Sequence, residues 1–162
     1  KELKDARTWE TQYQMIMAIG ECGYSEALPV LTGLAQQHFE ATAVYTAIGD
    51  SIVRLSKQGG NDASSAIGLF ATGNEMLIDG GLRAVAMLQM VPSKTEILKI
   101  INFVSVFDVD DGIRFWVIAA SPGWDGPEVI NFIEDCRKSN REDFVDAADL
   151  ALKKKYTKWR PL

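Results

Sequence analysis

The chain has 162 residues, 47% hydrophobic and 24% charged, with a formal net charge of −5 and an isoelectric point near 4.9. That balance suits a globular domain able to bury a core and excludes wholesale disorder, and no apolar run approaches the ~18 residues of a membrane span. Cys22 and Cys136 stand far apart, with neither a CxxC pair nor a nearby histidine. Disulfide-built and zinc-built folds are therefore set aside, both cysteines read as small buried hydrophobes, and the expected compartment is the cytoplasm.

The first predicted helix covers residues 8–20, where Trp9, Tyr13, Ile16, Met17 and Gly20 fall on one face. A turn at Gly23 leads to a second helix, capped by Ser25 with Pro29 in its first turn, burying Leu28, Leu31, Leu34 and Ala35. These form a hairpin over residues 8–37. The next, 38–73, has a long helix over 38–57 with Ala41, Val44, Ile48, Ile52 and Leu55 inward. A break at 58–61 follows, then a small-residue helix over 63–71 in which Gly68 allows close approach. Residues 75–78 read as a short turn into the third hairpin, 79–106, whose two helices are hinged at Val91-Pro92. Its second helix opens on the capping box Ser93-x-x-Glu96 and buries Ile97, Leu98, Ile101 and Val104.

The fourth hairpin, 110–138, places Ile113, Trp116, Val117 and Ala120 inward on its first helix. After a turn over 121–126, Pro127 opens the second, with Val129, Ile130 and Ile133 inward. A second capping-box pattern, Ser139-x-x-Glu142, starts a last helix over 140–154. Phe144, Ala147, Ala148 and Ala151 share one side of it and acids the other, as a terminal cap with a polar outer face requires. The tail, 153–162, holds five cations (Lys153, Lys154, Lys155, Lys158 and Arg160) and no acid, leaving 12 basic against 22 acidic residues elsewhere. A body so acidic repels phosphate backbones, so nucleic acid is expected at most through the tail.

Asp79-Gly80-Gly81-Leu82-Arg83 returns 31 residues later as Asp110-Asp111-Gly112-Ile113-Arg114. A helical hairpin recurring at such a period marks a stacked α-helical repeat. The segments Leu82-Arg83-Ala84-Val85-Ala86-Met87-Leu88, Ile113-Arg114, and Ala18-Ile19-Gly20 followed by Glu26-Ala27-Leu28-Pro29-Val30-Leu31 resemble the HEAT repeat. More closely, they are similar to the short bacterial HEAT-like units of phycobilisome lyases, over most of residues 9–138. The resemblance implies an all-α fold, a right-handed α-α superhelix (solenoid) of about four hairpins plus a capping helix, in one domain. It implies an Asp-Arg ladder between neighbouring repeats, carried here by Asp79, Arg83, Asp111 and Arg114. It also implies that second helices line a concave face, where Thr32, Gln36, Ser65, Lys99, Asn102, Phe103, Asn131 and Asp135 would stand off the core. The function so implied is a non-catalytic scaffold, adaptor or immunity-type inhibitor gripping a partner protein. The alternative is an accessory subunit or lyase-like enzyme acting on a tetrapyrrole or a modified protein.

Catalytic patterns are scarce. His38 is the single histidine, which excludes a metal site with more than one His, and no nucleophile signature surrounds it, so it reads as a turn residue between helices. Asp108-Val109-Asp110-Asp111-Gly112 hints at a calcium loop, yet position 12 is Ala119 where a bidentate Glu is needed; helix-capping acids explain it better. Glu134/Asp135 and Glu142/Asp143 are adjacent pairs that split across helix faces instead of converging. Gly59-Gly60 and Gly80-Gly81 lack the GK[ST] or GxxG of phosphate loops. Trp9 and Trp116 stand at core spacing. Trp124, between Gly123 and Asp125 in a turn, is either a partner anchor at the rim or a lid over the hairpin end. The tail cations either complement a helix dipole and lie against the acidic body or touch an anionic surface. No catalytic residue, metal or cofactor is expected, and the acidic body favours a basic protein partner.

Overall fold

The structure, a computed structural model, describes residues 8–56 and 60–158, and all regular structure among them is helical. The α-helices are α1 (Trp9–Glu21), α2 (Leu28–Leu34), α3 (Ala43–Ser56), α4 (Ser64–Leu69), α5 (Glu75–Met87), α6 (Lys94–Val104), α7 (Gly112–Ala120), α8 (Pro127–Cys136) and α9 (Glu142–Leu152). Single 3-10 turns at Ser25–Ala27, Phe70–Thr72 and Ser121–Gly123 lengthen α2, α4 and α7. The chain forms two compact units, Lys1–Ala84 and Val85–Leu162. No helix among the described residues is long and apolar enough to cross a membrane.

The first unit is arranged around α3. Its residues 44–53 are all buried, a pattern that requires neighbours on every side. The neighbours come close because the contacts are glycine. A Cβ on Gly20 of α1 would lie 2.8 Å from the Ser51 Cα, and one on Gly49 or Gly80 would collide with the carbonyl of Leu77 or Thr46. Ser51 uses the proximity, its hydroxyl donating to the Ile16 carbonyl at 2.8 Å. Asp50, wholly buried, accepts from Arg54 one turn on and from Arg83 of α5 at 2.6 Å.

Several expectations change here. The inward face of α1 is Gln12, Ile16, Met17 and Gly20, while Trp9 is 38% exposed because it opens the helix one turn before that face begins. Residues 38–42 are not helical. The Tyr45 hydroxyl donates to the Gln37 carbonyl and accepts from the Phe39 amide, fixing a turn that seats the Phe39 ring edge-on to Tyr45. The predicted end of that helix at residue 57 and part of the following break lie outside the described residues. Residues 75–78 are the first turn of α5, because the Asn74 side chain accepts from the Met76 and Leu77 amides and so starts the helix early. Asp79 therefore lies inside a helix, whereas Asp111, the other aspartate of the expected ladder, caps one.

In the second unit, Ser93 and Glu96 form the reciprocal capping box of α6, and Asp111 caps α7 by accepting from the Ile113 amide at 3.0 Å. The helix α8 buries Val129, Phe132, Ile133 and Cys136, a strict i, i+3, i+4, i+7 face. Ile130 falls off that face and is 53% exposed, contrary to expectation, and Trp116 is only half-buried. The last helix, α9, covers α7 and α8 with Phe144, Ala147, Ala148 and Ala151. The second capping box does not form: the Ser139 hydroxyl donates to the Asp110 carboxylate at 2.6 Å, so α9 starts later, at Glu142.

Candidate functional site

On each of two neighbouring helices of the second unit, burial of one face fixes what the other presents. With Ile97, Ile100, Ile101 and Val104 buried, α6 turns Thr95, Lys99 and Asn102 outward; with its own face buried, α8 exposes Ile130, Asn131 and Glu134. The helices pack on each other, and Lys94 bridges to Glu128 at 3.8 Å. Lys99, Asn102 and Asn131, all expected to contact a partner, are exposed side chains on this pair of helices. Two exposed apolar residues belong to the same pair of helices: Ile130, which periodicity had placed inward, and, just past α6, Val106 at 79%. Phe103 is half-buried, its ring tilted against Phe107 at 5.7 Å between centroids.

Of two further residues expected to contact a partner, one is buried and the other is engaged by cations. Trp124 is 1% exposed and its indole N–H donates to the Met90 carbonyl at 2.8 Å, so it closes the hairpin end and is no rim anchor. A buried indole needs such an acceptor, and the loop carbonyl supplies it. Asp135 is half-buried and accepts from Arg114 at 2.8 Å and Lys138 at 3.1 Å; the Arg114 guanidinium holds its carboxyl below the usual range.

Both arginines of the expected Asp-Arg ladder bind further carboxylates. Arg83 of α5 reaches Asp50 of α3. Arg114 reaches Asp135 on the second helix of its own hairpin, because the Asp111 carboxylate is engaged at the N-cap. The guanidinium of Arg114, 3% exposed, also lies over the Phe132 ring at 5.2 Å. Asp50 went unnoticed in the sequence; its signal was a lone carboxylate inside an otherwise small and apolar helix, four residues before Arg54.

In the first unit Gln36 is exposed beside His38 at the edge of an open polar recess of about 610 Å³, which Asn74 also lines. Thr32 is exposed, its hydroxyl donating to the Leu28 carbonyl, and Ser65 is half-buried.

The acid-rich loop at 108–111 is tied up in backbone geometry. Asp108 accepts from the Asp110 amide, while Asp110 accepts from the Ser139 hydroxyl and from both the backbone and side-chain nitrogens of Asn140. The Ser139 bond, followed by the Asn140 bonds, holds the Asp110 carboxyl below its usual range. No group of three His, Cys, Asp or Glu among the described residues could hold a metal ion. Burial pushes the Cys136 thiol up to about 11, far from a reactive thiolate at neutral pH. The basic tail is described as far as residue 158, and residues 159–162 lie outside the described part. Its Lys154 donates to the Trp124 carbonyl and pairs with Asp125, so this cation lies against the α7–α8 loop.

Comparison with protein-family models, curated proteins and solved structures finds no match for this chain.

Proposed function

We propose that the chain is a non-catalytic protein-binding module, a scaffold, adaptor or inhibitor, built as an α-solenoid of HEAT-like hairpins whose second helices meet the partner. The observation that carries this reading is the outward strip of α6 and α8. There Ile130, 53% exposed, stands on α8 beside Asn131, with Lys99 and Asn102 on the adjoining α6. An exposed apolar side chain, with exposed polar ones on its own helix and on the adjoining one, suits a protein interface with its apolar centre and polar rim. Stacking of the hairpins is supported by the glycine contacts joining α1, α3 and α5 and by the Asp50–Arg83 pair between first helices. The acid excess favours a basic partner, met in the cytoplasm.

The test is capture of a stoichiometric partner from native lysate by wild type, Ile130→Glu and Asn102→Glu, with folding checked by circular dichroism. Loss of the wild-type partner in both variants is the expected result. A partner retained unchanged by both would sink the reading.

A further inference from the structure

Among the described residues, two that are not glycine have left-handed backbone, Gln89 (φ 49) and Lys154 (φ 55), and both lie at helix ends that meet Trp124. Each stands just past a helix, where glycine is favoured. The Gln89 amide donates to the Ala86 carbonyl and the Met90 amide to that of Val85, closing α5. In the same way the Lys154 amide donates to the Ala151 carbonyl and the Lys155 amide to that of Leu150, closing α9. A side chain in this conformation is disfavoured and persists where other interactions hold it. After α5 comes Met90, whose carbonyl accepts the Trp124 indole N–H. After α9 the lysine itself makes the link, its ammonium donating to the Trp124 carbonyl and, at 2.9 Å, to the Asp125 carboxylate. We propose that residues 153–158 are a releasable strap, which Lys154 closes over the 121–126 loop and which opens while α9 stays folded.

Exposure separates the firm part of this junction from the loose one. The Trp124 ring is buried, whereas the side chains of Lys154 and Asp125 are 55% and 92% exposed. An ion pair so open to water holds weakly and is screened by salt. Once it and the carbonyl bond beside it are lost, nothing offsets the left-handed turn, and the chain beyond Leu152 leaves the loop. The helix itself remains, seated by Phe144, Ala147, Ala148 and Ala151. The strap also reaches Gly123, where a Cβ would strike the Tyr156 hydroxyl on one side and come within 2.8 Å of the Val91 side chain on the other. It therefore lies where the loop before α8 meets the segment before α6, and its release loosens the entries of both helices, at Pro127 and Lys94. This device belongs to the loops and stands whether or not the α6–α8 strip binds a protein.

Hydrogen exchange of the full chain, followed by nuclear magnetic resonance, reads the strap and the helix separately. The Trp124 indole signal is identified among the four tryptophans by its absence in Trp124→Phe. Lys154→Gly removes the ammonium and supplies the residue that the left-handed turn prefers, so α9 and its closing Lys155 amide should exchange as in wild type. The Trp124 indole and amide, and the Ile130 amide that donates to the Gly126 carbonyl, should exchange on the order of tenfold faster, the effect of losing one charge-assisted hydrogen bond. Asp125→Asn, made on an exposed side chain, should quicken the same protons by a smaller factor. The difference between wild type and Lys154→Gly should narrow as salt rises, because screening weakens the pair in the wild type alone. An unchanged Trp124 indole rate in Lys154→Gly would overturn the proposal, since the loop would then keep its place unaided. Equal acceleration throughout α9 would do so as well, because the segment would then be the end of the helix and no separate strap.

Discussion

Trp124 has glycine and aspartate for neighbours, and nothing in that local sequence says whether its ring faces water or protein. The decision is made 34 residues earlier in the chain, where the Met90 carbonyl needs a donor and the indole N–H reaches it at 2.8 Å. Burial to 1% follows. Truncation should therefore be costly: Trp124→Ala is expected to lower stability by about 3–5 kcal/mol, while Trp124→Phe keeps most of the packing and loses mainly the hydrogen bond. Urea unfolding followed by circular dichroism reads both, and a surface-like loss of a few tenths of a kcal/mol for the alanine variant would contradict the placement. Asp50 teaches the same lesson from the other side. Its two partners lie four and 33 residues away, and only the nearer was visible as an i, i+4 pair.

At the scale of elements, the period of the apolar residues located the inward faces wherever a face was continuous, as with Phe144, Ala147, Ala148 and Ala151 of α9. Helix starts were less legible, because a cap is a competition between donors. Ser93 and Glu96 find only each other and form the box, whereas Ser139 meets a carboxylate from another loop and leaves its own helix uncapped by a side chain. Asn74 starts α5 a full turn ahead of the Asp79 that the repeat pattern suggested. Glycine, too, carries meaning that sequence does not reveal. Gly49 and Gly80 face backbone of the opposing helix, while Gly33 and Gly68 have nothing within 4 Å of an added Cβ. Gly49→Ala and Gly80→Ala should force α3 and α5 apart and lower the thermal midpoint. Gly33→Ala, in the helical interior of α2, should be neutral or raise stability by up to about 1 kcal/mol through reduced backbone entropy of the unfolded chain. A thermal melt that ranks these variants in the opposite order would refute the close approach. The exposed members of the candidate site were readable as positions off the buried faces. Ile130 was not, since a hydrophobic residue one step out of register looks in sequence like another core residue.

The molecule as a whole carries a net charge of −5, and several of its acids do internal binding. The carboxyls of Asp110, Asp135 and Asp143 are each held below the usual range, by bonds from Ser139, Arg114 and Arg141 respectively. A carboxyl whose folded value is depressed contributes stability that is complete above its unfolded pKa of about 3.9 and is lost as pH falls through the folded value. The second unit should thus weaken only below about pH 4, as these groups protonate. Asp110→Asn gives the sharpest check. Its urea midpoint should lie below wild type at neutral pH, and the difference should shrink once the pH drops under the ordinary aspartate value. A difference that persists undiminished in acid would show that the carboxylate's charge is not what binds Ser139 and Asn140.

The basic end of the chain is partly a buttress. Lys154 takes a left-handed backbone conformation (φ 55) that brings its ammonium to the Trp124 carbonyl and Asp125, and the Tyr156 hydroxyl lies so near Gly123 that an added Cβ there would strike it. Cutting the chain at Lys153 would therefore unprop the loop that seats Trp124 as well as removing charge. Neutralising Lys155 and Lys158, both exposed, changes the charge of this end and leaves the prop standing.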